Sequence, residues 1–522
     1  MPSALANLDQ AEKDLLQARR DLLRAQNKVA RRARTRNAFI TVNKLPTELL
    51  CAIFLEVVRE YTAVRGLSWL PITQVCAHWR RISLNFPTLW TQIVFDCEPS
   101  FTRLMLVRSG NAPLDIKITY EHRQSCQLIT NLGVHCQRCH TLEINHNVLT
   151  SILPQFDHST TLKTLVIHGP CRGVGIPAAL TQSLLRCPAL THLGIRNYGL
   201  VWTSIPAIPT LKTLDLTNGD HLYIGNIEEQ KAMYDVLSSM PNLEVLRVID
   251  LLPSAFTYLG PPVVLGHLKE LEIFNKGAQV SAFFSIISIP STAIISVWSR
   301  TTVMEGTDHI SEFLRAFSSA REDDESSSHG VGVQKFKRLQ ISKLYNGETR
   351  TSFWNSHNIE SEGKAGLTLT FSHAPASFLL DKYKEAFDLT GLRWLEITDT
   401  RWKHLTLGRE QWSFFGSLSG LEEIVFTYNG PTNVSTFLEA MVPGDTTESD
   451  VPPFPALGEL TFDCVTFKEW DTPPISNMLI DAIKARPTNY RLRKVKFKWV
   501  ESMVAEAVKR LREVVNVDWQ ER

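Results

Sequence analysis

The chain has 522 residues, 43% of them hydrophobic and 21% charged, with a formal net charge of +1. This is an ordinary balance for a globular chain, and near-zero charge gives no global attraction to nucleic acid or to an anionic membrane, so neither is expected as a partner. Nine cysteines in so long a chain, with no secretory pattern at its start, point to reduced thiols in the cytoplasm or nucleus. The Asn433-Val434-Ser435 sequon is then incidental. Length alone suggests roughly three or four domains of about 150 residues, unless the chain is a repeat array.

Residues 1–36 read as an amphipathic, coiled-coil-like helix. Leu8, Leu15, Leu22 and Val29 recur every seven residues, with Ala11, Ala18 and Ala25 at the same spacing three residues behind. Alanine at one core position makes a thin seam, so weak self-association through residues 8–29 is expected; a single solvated helix is the alternative. The run Arg31, Arg32, Arg34 and Arg36 closes the arm as a solvated basic linker, a pattern also used for nuclear targeting.

Residues 38–95 form a small helical module. In "LPTELLCAIFLEVV", Leu49, Leu50, Ile53, Phe54, Val57 and Val58 are placed on one helical face, with Pro46 in the first turn. Ile72, Val75, Cys76, Trp79 and Ile82 make a second stripe, and "FPTLW" (Phe86 to Trp90) closes the segment. A piece this short seldom buries so much apolar surface alone, so some of it must meet the rest of the chain or a partner.

"LPTELLCAIF", "VCAHWRRIS" and "PTLW" together resemble the F-box of a form seen in many basidiomycete fungal proteins, which carry a coiled arm before the box and leucine-rich repeats after it. "RSGNAPLDIKI" (Arg108 to Ile118) resembles the usual next element. The resemblance implies that Leu45, Pro46, Leu49, Leu50, Ile53 and Phe54 form a first contact helix for a Skp-type adaptor, and through it a cullin ligase. It assigns Val75, Cys76 and Trp79 to a second helix, and Leu89 and Trp90 to the end of the surface. The stretch between the two helices is longer than in compact F-boxes. A purely structural cap for the repeats is the competing reading.

Residues 105–522 are filled by a degenerate phrase, L-x-x-L-x-[LIVF]. Ten clear copies begin at Leu162, Leu190, Leu211, Leu243, Leu268, Phe336, Leu392, Leu421, Leu457 and Leu492; weaker ones begin at Pro113, Cys139, Thr292 and Lys364. Neighbouring clear copies lie 21 residues to the mid-thirties apart, and the Asn or Cys expected after the strand is generally missing. The pattern resembles an irregular leucine-rich-repeat solenoid, each repeat giving a short parallel strand and a returning helix or loop. "SLLRCP" before Leu190 and "DVLSSMP" before Leu243 fit such helices, and Met503 to Val515 fits a terminal capping helix.

The uncharged run Gly277 to Ser299 is long enough for a bilayer, but its serines and Pro290 favour a buried helix followed by a core strand. Arg321 to Gly332 and Val442 to Pro455 read as polar loops, with Ser326 to Ser328 a weak modification candidate. Alternation along the strands brings Glu270, Glu272, Phe274, Trp394, Glu396, Glu423, Glu459 and Asp463 to the concave face. These are expected to bind a partner protein as an acidic track with an aromatic anchor at Trp394, changing sign at Lys494, Lys496 and Lys498 in the last repeat.

Catalytic patterns are missing. His135 to His140 contains C-x-x-C-H, but no second C-x-x-C completes a zinc site and covalent haem would require export. Gly169 to Gly175 lacks the Lys-Ser/Thr of a phosphate loop and reads as a turn. No G-x-S-x-G or H-E-x-x-H occurs, so no cofactor, metal or catalytic residue is assigned. The expected architecture is an α/β solenoid, an irregular leucine-rich-repeat array preceded by a small all-α F-box-like module and a coiled-coil-like helix. The expected role is the non-enzymatic substrate-recognition subunit of a Skp-cullin-F-box ubiquitin ligase; the alternatives are a non-ligase interaction scaffold and an enzyme whose site has no recognised motif.

Overall fold

The computed structural model describes residues 2–65, 67–94, 99–118, 133–153, 159–170, 174–219, 225–253, 260–300, 308–321, 335–355, 364–399, 405–443, 451–467, 473–501, 503 and 505–520. The chain divides into two compact units, residues 1–168 with 186–190, and residues 169–185 with 191–522. Ser326 to Ser328 lie outside the described residues.

The first unit begins with one long helix, α1 (Pro2–Ala38), uninterrupted by Gly or by any Pro after its first residue. A 3₁₀ turn at Thr41–Lys44 leads to α2 (Thr47–Arg65). Pro46 stands just before this helix, its carbonyl accepting from Leu50 N at 3.1 Å, so it caps the first turn instead of occupying it. A second 3₁₀ turn, Leu70–Gln74, precedes α3 (Ala77–Leu84), whose N-cap is Cys76. The Cys76 sulfur accepts from Trp79 N at 3.4 Å. Pro87–Trp90 form a third 3₁₀ turn, and the chain passes directly into β1 (Gln92–Val94). After α4 (Pro99–Arg108) come β2 (Leu114–Ile118), β3 (Cys139–Asn145), α5 (His146–Ile152) and β4 (Thr164–His168). Strands β1 to β4 pair in sequence order, all parallel.

The second unit holds α6 (Ala178–Leu185), β5 (His192–Tyr198), β6 (Thr213–Asn218), α7 (Ile227–Ser238), β7 (Val245–Ile249), and the two-residue β8 (Val263–Val264). It continues with β9 (Glu270–Lys276), α8 (Gly277–Phe284), the two-residue β10 (Ile287–Ser288), β11 (Ile294–Arg300) and α9 (Asp308–Ala320). Next come β12 (Arg338–Lys343), β13 (Thr349–Trp354), β14 (Leu367–Phe371), α10 (Ala376–Ala386), β15 (Trp394–Asp399) and α11 (Arg409–Ser417). The last elements are β16 (Glu423–Thr427), α12 (Pro431–Met441), β17 (Glu459–Asp463), α13 (Ile475–Ala485), β18 (Lys494–Lys498), α14 (Ala505–Arg512) and β19 (Asn516–Gln520).

In this unit the strands run β5-β6-β7-β9-β11, then β14-β13-β12, then β15 to β19. Every neighbour is parallel except at β13, which is antiparallel to both β12 and β14. Each repeat phrase, clear or weak, lies at a strand, so the phrase marks where the chain enters the sheet. Its fourth and sixth residues are buried because period-two alternation sends them to the same face. One lateral row of that face is a ring stack: Phe426, Phe462, Phe497 and Trp519 are register partners with centroids 5.5, 5.5 and 5.3 Å apart. From α8 to α14 each helix packs on the next, forming a second layer. The result is a helical N-terminus followed by a mostly parallel sheet with a helical layer, a solenoid-like arrangement.

Three features differ from the sequence reading. The register is broken at β12–β14: the three-residue turn Tyr345-Asn346-Gly347, closed by Leu344 N to Glu348 O at 2.8 Å and with Gly347 at φ +85°, folds β13 back. β14 therefore takes the place beside β11, and β12 carries the array on to β15. The terminal helix is shorter than expected, and β19 after it forms the last strand, so the end of the sheet is a strand and not a helix. A buried Asn does follow the apolar pair in a few repeats, as at Asn218 and Asn429. Asn218 accepts from Leu200 N and donates to Asp250 O; Asn429 donates to Ile397 O at 2.5 Å.

Gly277 to Ser299 folds as the buried helix α8 and the strand β11, with Pro290 between them. No described helix is long and apolar enough to cross a membrane. Gly169 is a glycine of close approach: a Cβ there would lie 2.5 Å from the Asn197 carbonyl oxygen. Asn433 of the sequon is buried in α12, accepting from Leu407 N and donating to Asn429 Oδ1.

Candidate functional site

Two faces carry the residues singled out above, one in each unit. In the first unit, α2 has two different apolar sides. Leu50, Phe54 and Val58 are buried, whereas Leu49 and Ile53 are 52% and 43% exposed. The helical period explains the split: 49 and 53 share one side, while 50, 54 and 58 lie about 100° round. The single apolar face expected from the sequence is thus two faces, and only one of them is turned inward.

The inward face is held by aromatic contacts. Phe54 meets Trp79 of α3 with ring centroids 5.0 Å apart. Trp69 and Trp90 pack edge to face at 5.2 Å, Trp90 touches Phe101 of α4, and the Arg108 guanidinium lies 4.4 Å over the Trp90 ring. Trp90 donates its indole N–H to the Ser83 carbonyl at 2.7 Å. A second anchor ties the segment after α1 to α3. Trp79 Nε1 donates to Asn43 Oδ1 at 2.6 Å, and Asn43 Nδ2 donates to the Asn37 carbonyl at 2.7 Å.

Of the eleven residues assigned to adaptor contact, Leu50, Phe54, Leu89 and Trp90 are internal and cannot meet a partner without unfolding the module. Leu45, Cys76 and Trp79 are half-buried, and Pro46, Leu49, Ile53 and Val75 are exposed. The sequence reading missed Phe39, Ile40 and Val42, all exposed apolar residues in the segment that Asn43 fastens to α3. Their signal was their position just before the Leu-Pro pair. The outcome is an apolar surface on a module whose own core is complete.

On the strand face of the second unit, most of these carboxylates meet cations or hydroxyls from elsewhere in the sheet. Glu270 binds Lys364 at 2.8 Å, Glu272 binds Arg247 at 2.6 Å, and Glu459 pairs with Lys496. Glu396 accepts hydroxyl hydrogen bonds from Thr398 and Thr427. Burial and the neighbouring Glu459 carboxylate push Glu423 above the usual glutamate range. Asp463 lies opposite Lys498 in the register. The expected acidic track is therefore ion-paired at Glu270, Glu272 and Glu459, within a longer ladder of paired charges. That ladder begins at Arg196, whose guanidinium meets Asp215 at 2.6 Å, and Asp215 also meets Arg247.

Trp394 is only 4% exposed and lies beneath the Arg338 guanidinium, which sits 3.7 Å over its ring and 4.8 Å over Trp354. It is a buried stacking residue, not an exposed anchor. The open aromatic pair is Phe274 with Trp298, centroids 4.7 Å apart, with Arg300 4.3 Å over Phe274. Both rings line a depression of about 590 Å³ shared with Arg247, Glu272, Arg350 and Lys364. Trp298 was invisible as a site residue because it sits in a weak repeat copy. Cys136 and Cys139 are buried, and hydrogen bonding to Cys136 together with burial raises the Cys139 thiol well above its ordinary range. Among the described residues no group of three or more His, Cys, Asp or Glu is placed to hold a metal ion.

Residues 42–96 match the F-box-like family. They form an F-box-like domain. Its span takes in most of the 3₁₀ turn before α2, then α2, α3 and the two further 3₁₀ turns, and β1. Such a domain places the chain's role in protein–protein interaction. No curated protein matches the chain. Among solved structures, the fold is similar to one titled "Crystal structure of TLR13-ssRNA13 complex", at 12% identity and a TM-score of 0.31, over 78% of this chain and 45% of that one. The present chain thus spans less than half the length of that protein.

Proposed function

We propose that the protein is the substrate-recognition subunit of a Skp-cullin-F-box type ubiquitin ligase. The observation that carries this reading is the exposed apolar side of the F-box-like domain, where Pro46, Leu49, Ile53 and Val75 are open while the module's own core is closed beneath them. A Skp-type adaptor binds that side. The cullin ligase is reached through the adaptor, and the repeats hold the target on their open strand face near Phe274 and Trp298. The chain itself is not an enzyme: it contributes proximity, bringing a target lysine to ubiquitin charged elsewhere in the assembly. Cys51, Cys76, Cys136 and Cys139 are free thiols, which suits the cytoplasm and nucleus, where such ligases work.

The test is capture of a recombinant Skp-type adaptor by the full chain. Binding that is lost on replacing Leu45 and Pro46 with Ala, in a chain that melts normally, supports the proposal. Absence of binding, or binding indifferent to that change, leaves an interaction scaffold without a ligase.

A further inference from the structure

Every residue of α1 from Gln10 to Arg32 is exposed. Among them Leu15, Leu22 and Val29 of the heptad stripe are 52%, 60% and 69% exposed, and Leu16 and Leu23 beside them 51% and 58%. A helix this long, about 55 Å at 1.5 Å per residue, does not keep such a stripe in water by propensity alone. Two independent features of the same helix say what covers it.

The first is charge. Residues 2–17 carry three acids (Asp9, Glu12, Asp14) and one base (Lys13), net −2; residues 18–37 carry eight bases (Arg19, Arg20, Arg24, Lys28, Arg31, Arg32, Arg34, Arg36) and one acid (Asp21), net +7. Side by side in the same direction, two such helices set +7 against +7. Head to tail, each acidic half faces a basic half.

The second is seam geometry. Large residues fall at 8, 15, 22 and 29 and alanines at 11, 18 and 25. In a parallel pair, like positions meet, so wide Leu-Leu layers alternate with Ala-Ala layers that leave voids. In an antiparallel pair, each large residue meets an alanine, as Leu15 with Ala18 and Leu22 with Ala11, and every layer has the same width.

We infer that α1 is the interface of an antiparallel homodimer, its occupant a second copy of this chain. The seam joins two chains through residues 8–29 of their arms, none of which belongs to the F-box-like domain or to a strand. The inference is independent of the ligase reading, since it needs no adaptor.

The experiment is sedimentation equilibrium of the full chain at 1–50 µM (about this range spans weak protein association), alongside the double variant Leu15→Glu/Leu22→Glu. Both substituted side chains are exposed and Glu is as good a helix former as Leu, so the variant folds as the native chain does. The native mass is expected to rise from 59.0 kDa towards twice that value, and the variant to stay at 59.0 kDa. Orientation is read by oxidising an equimolar mixture of Leu15→Cys and Ala18→Cys chains and mapping the disulfides by peptide mass. Disulfides joining position 15 of one chain to position 18 of another mark the antiparallel pair. A native chain that stays monomeric, a Leu15→Glu/Leu22→Glu variant that still dimerises, or disulfides joining only like positions would each overturn the inference.

Discussion

The two sides of α2 make the sharpest prediction. Replacing Leu49 and Ile53 with Ala removes side chains that are 52% and 43% exposed, so about half of each remains to be covered by a partner. Fully burying such a side chain is worth about 1.5–3 kcal/mol, so the half still open contributes about 1 kcal/mol at each position. Losing both weakens adaptor binding by about 2 kcal/mol, roughly 30-fold in Kd. The folded chain loses only the part already covered, and Ala is the better helix former at both positions. Phe54→Ala is the counterpart: its ring is fully buried against Trp79, and deleting it costs about 3–5 kcal/mol of stability. Calorimetric titration of each variant with a Skp-type adaptor, together with denaturant unfolding, separates the two effects. If the double variant binds within threefold of the native chain, or loses as much stability as Phe54→Ala, the assignment of inner and outer faces is wrong.

Further consequences can be checked separately. Asn43→Ala strips the acceptor from the Trp79 indole and the donor from the Asn37 carbonyl, and is expected to lower stability by about 1–3 kcal/mol with a change in tryptophan fluorescence; an unchanged unfolding midpoint would count against that anchor. Arg338→Leu removes the cation stacked between Trp354 and Trp394, a loss of about 1–2 kcal/mol that Arg338→Lys recovers only in part; equal melting of the three chains would refute the stack. Glu244 accepts from Lys212 and Lys269 at 2.7 and 2.5 Å, which hold its pKa down to about 2. A depressed folded pKa means that this contribution is complete above the ordinary glutamate value and is lost as pH falls towards 2. The melting difference between the native chain and Glu244→Gln should therefore shrink from pH 6 to pH 2, and a constant difference would exclude the linkage.

Much of the fold was legible because its signals are local. The repeat phrase places a strand at all ten clear and all four weak copies, since two apolar residues at period two suffice to seat a strand in the sheet. The break at β12–β14 was legible too, in Asn346-Gly347 between two alternating stretches, but the phrase search skipped β13 because that strand carries no copy of it. For the F-box-like domain, the motif residues were all present in the sequence, yet four of the eleven face inward. Leu49 and Leu50 are equally apolar, and only the partner helix tells them apart.

The sequence by itself determined where the strands lie and the apolar heptads of the arm, because these depend on periodicity along one segment. The tertiary structure alone decided which apolar side of α2 stays open, that Trp394 is covered by Arg338, and that Glu270, Glu272 and Glu459 are ion-paired. The physical reason is that burial and ion pairing are properties of neighbours across strands and helices. Parallel register brings Arg247 to Glu272, 25 residues on, and the sheet carries Lys364, just before β14, to Glu270, 94 residues away.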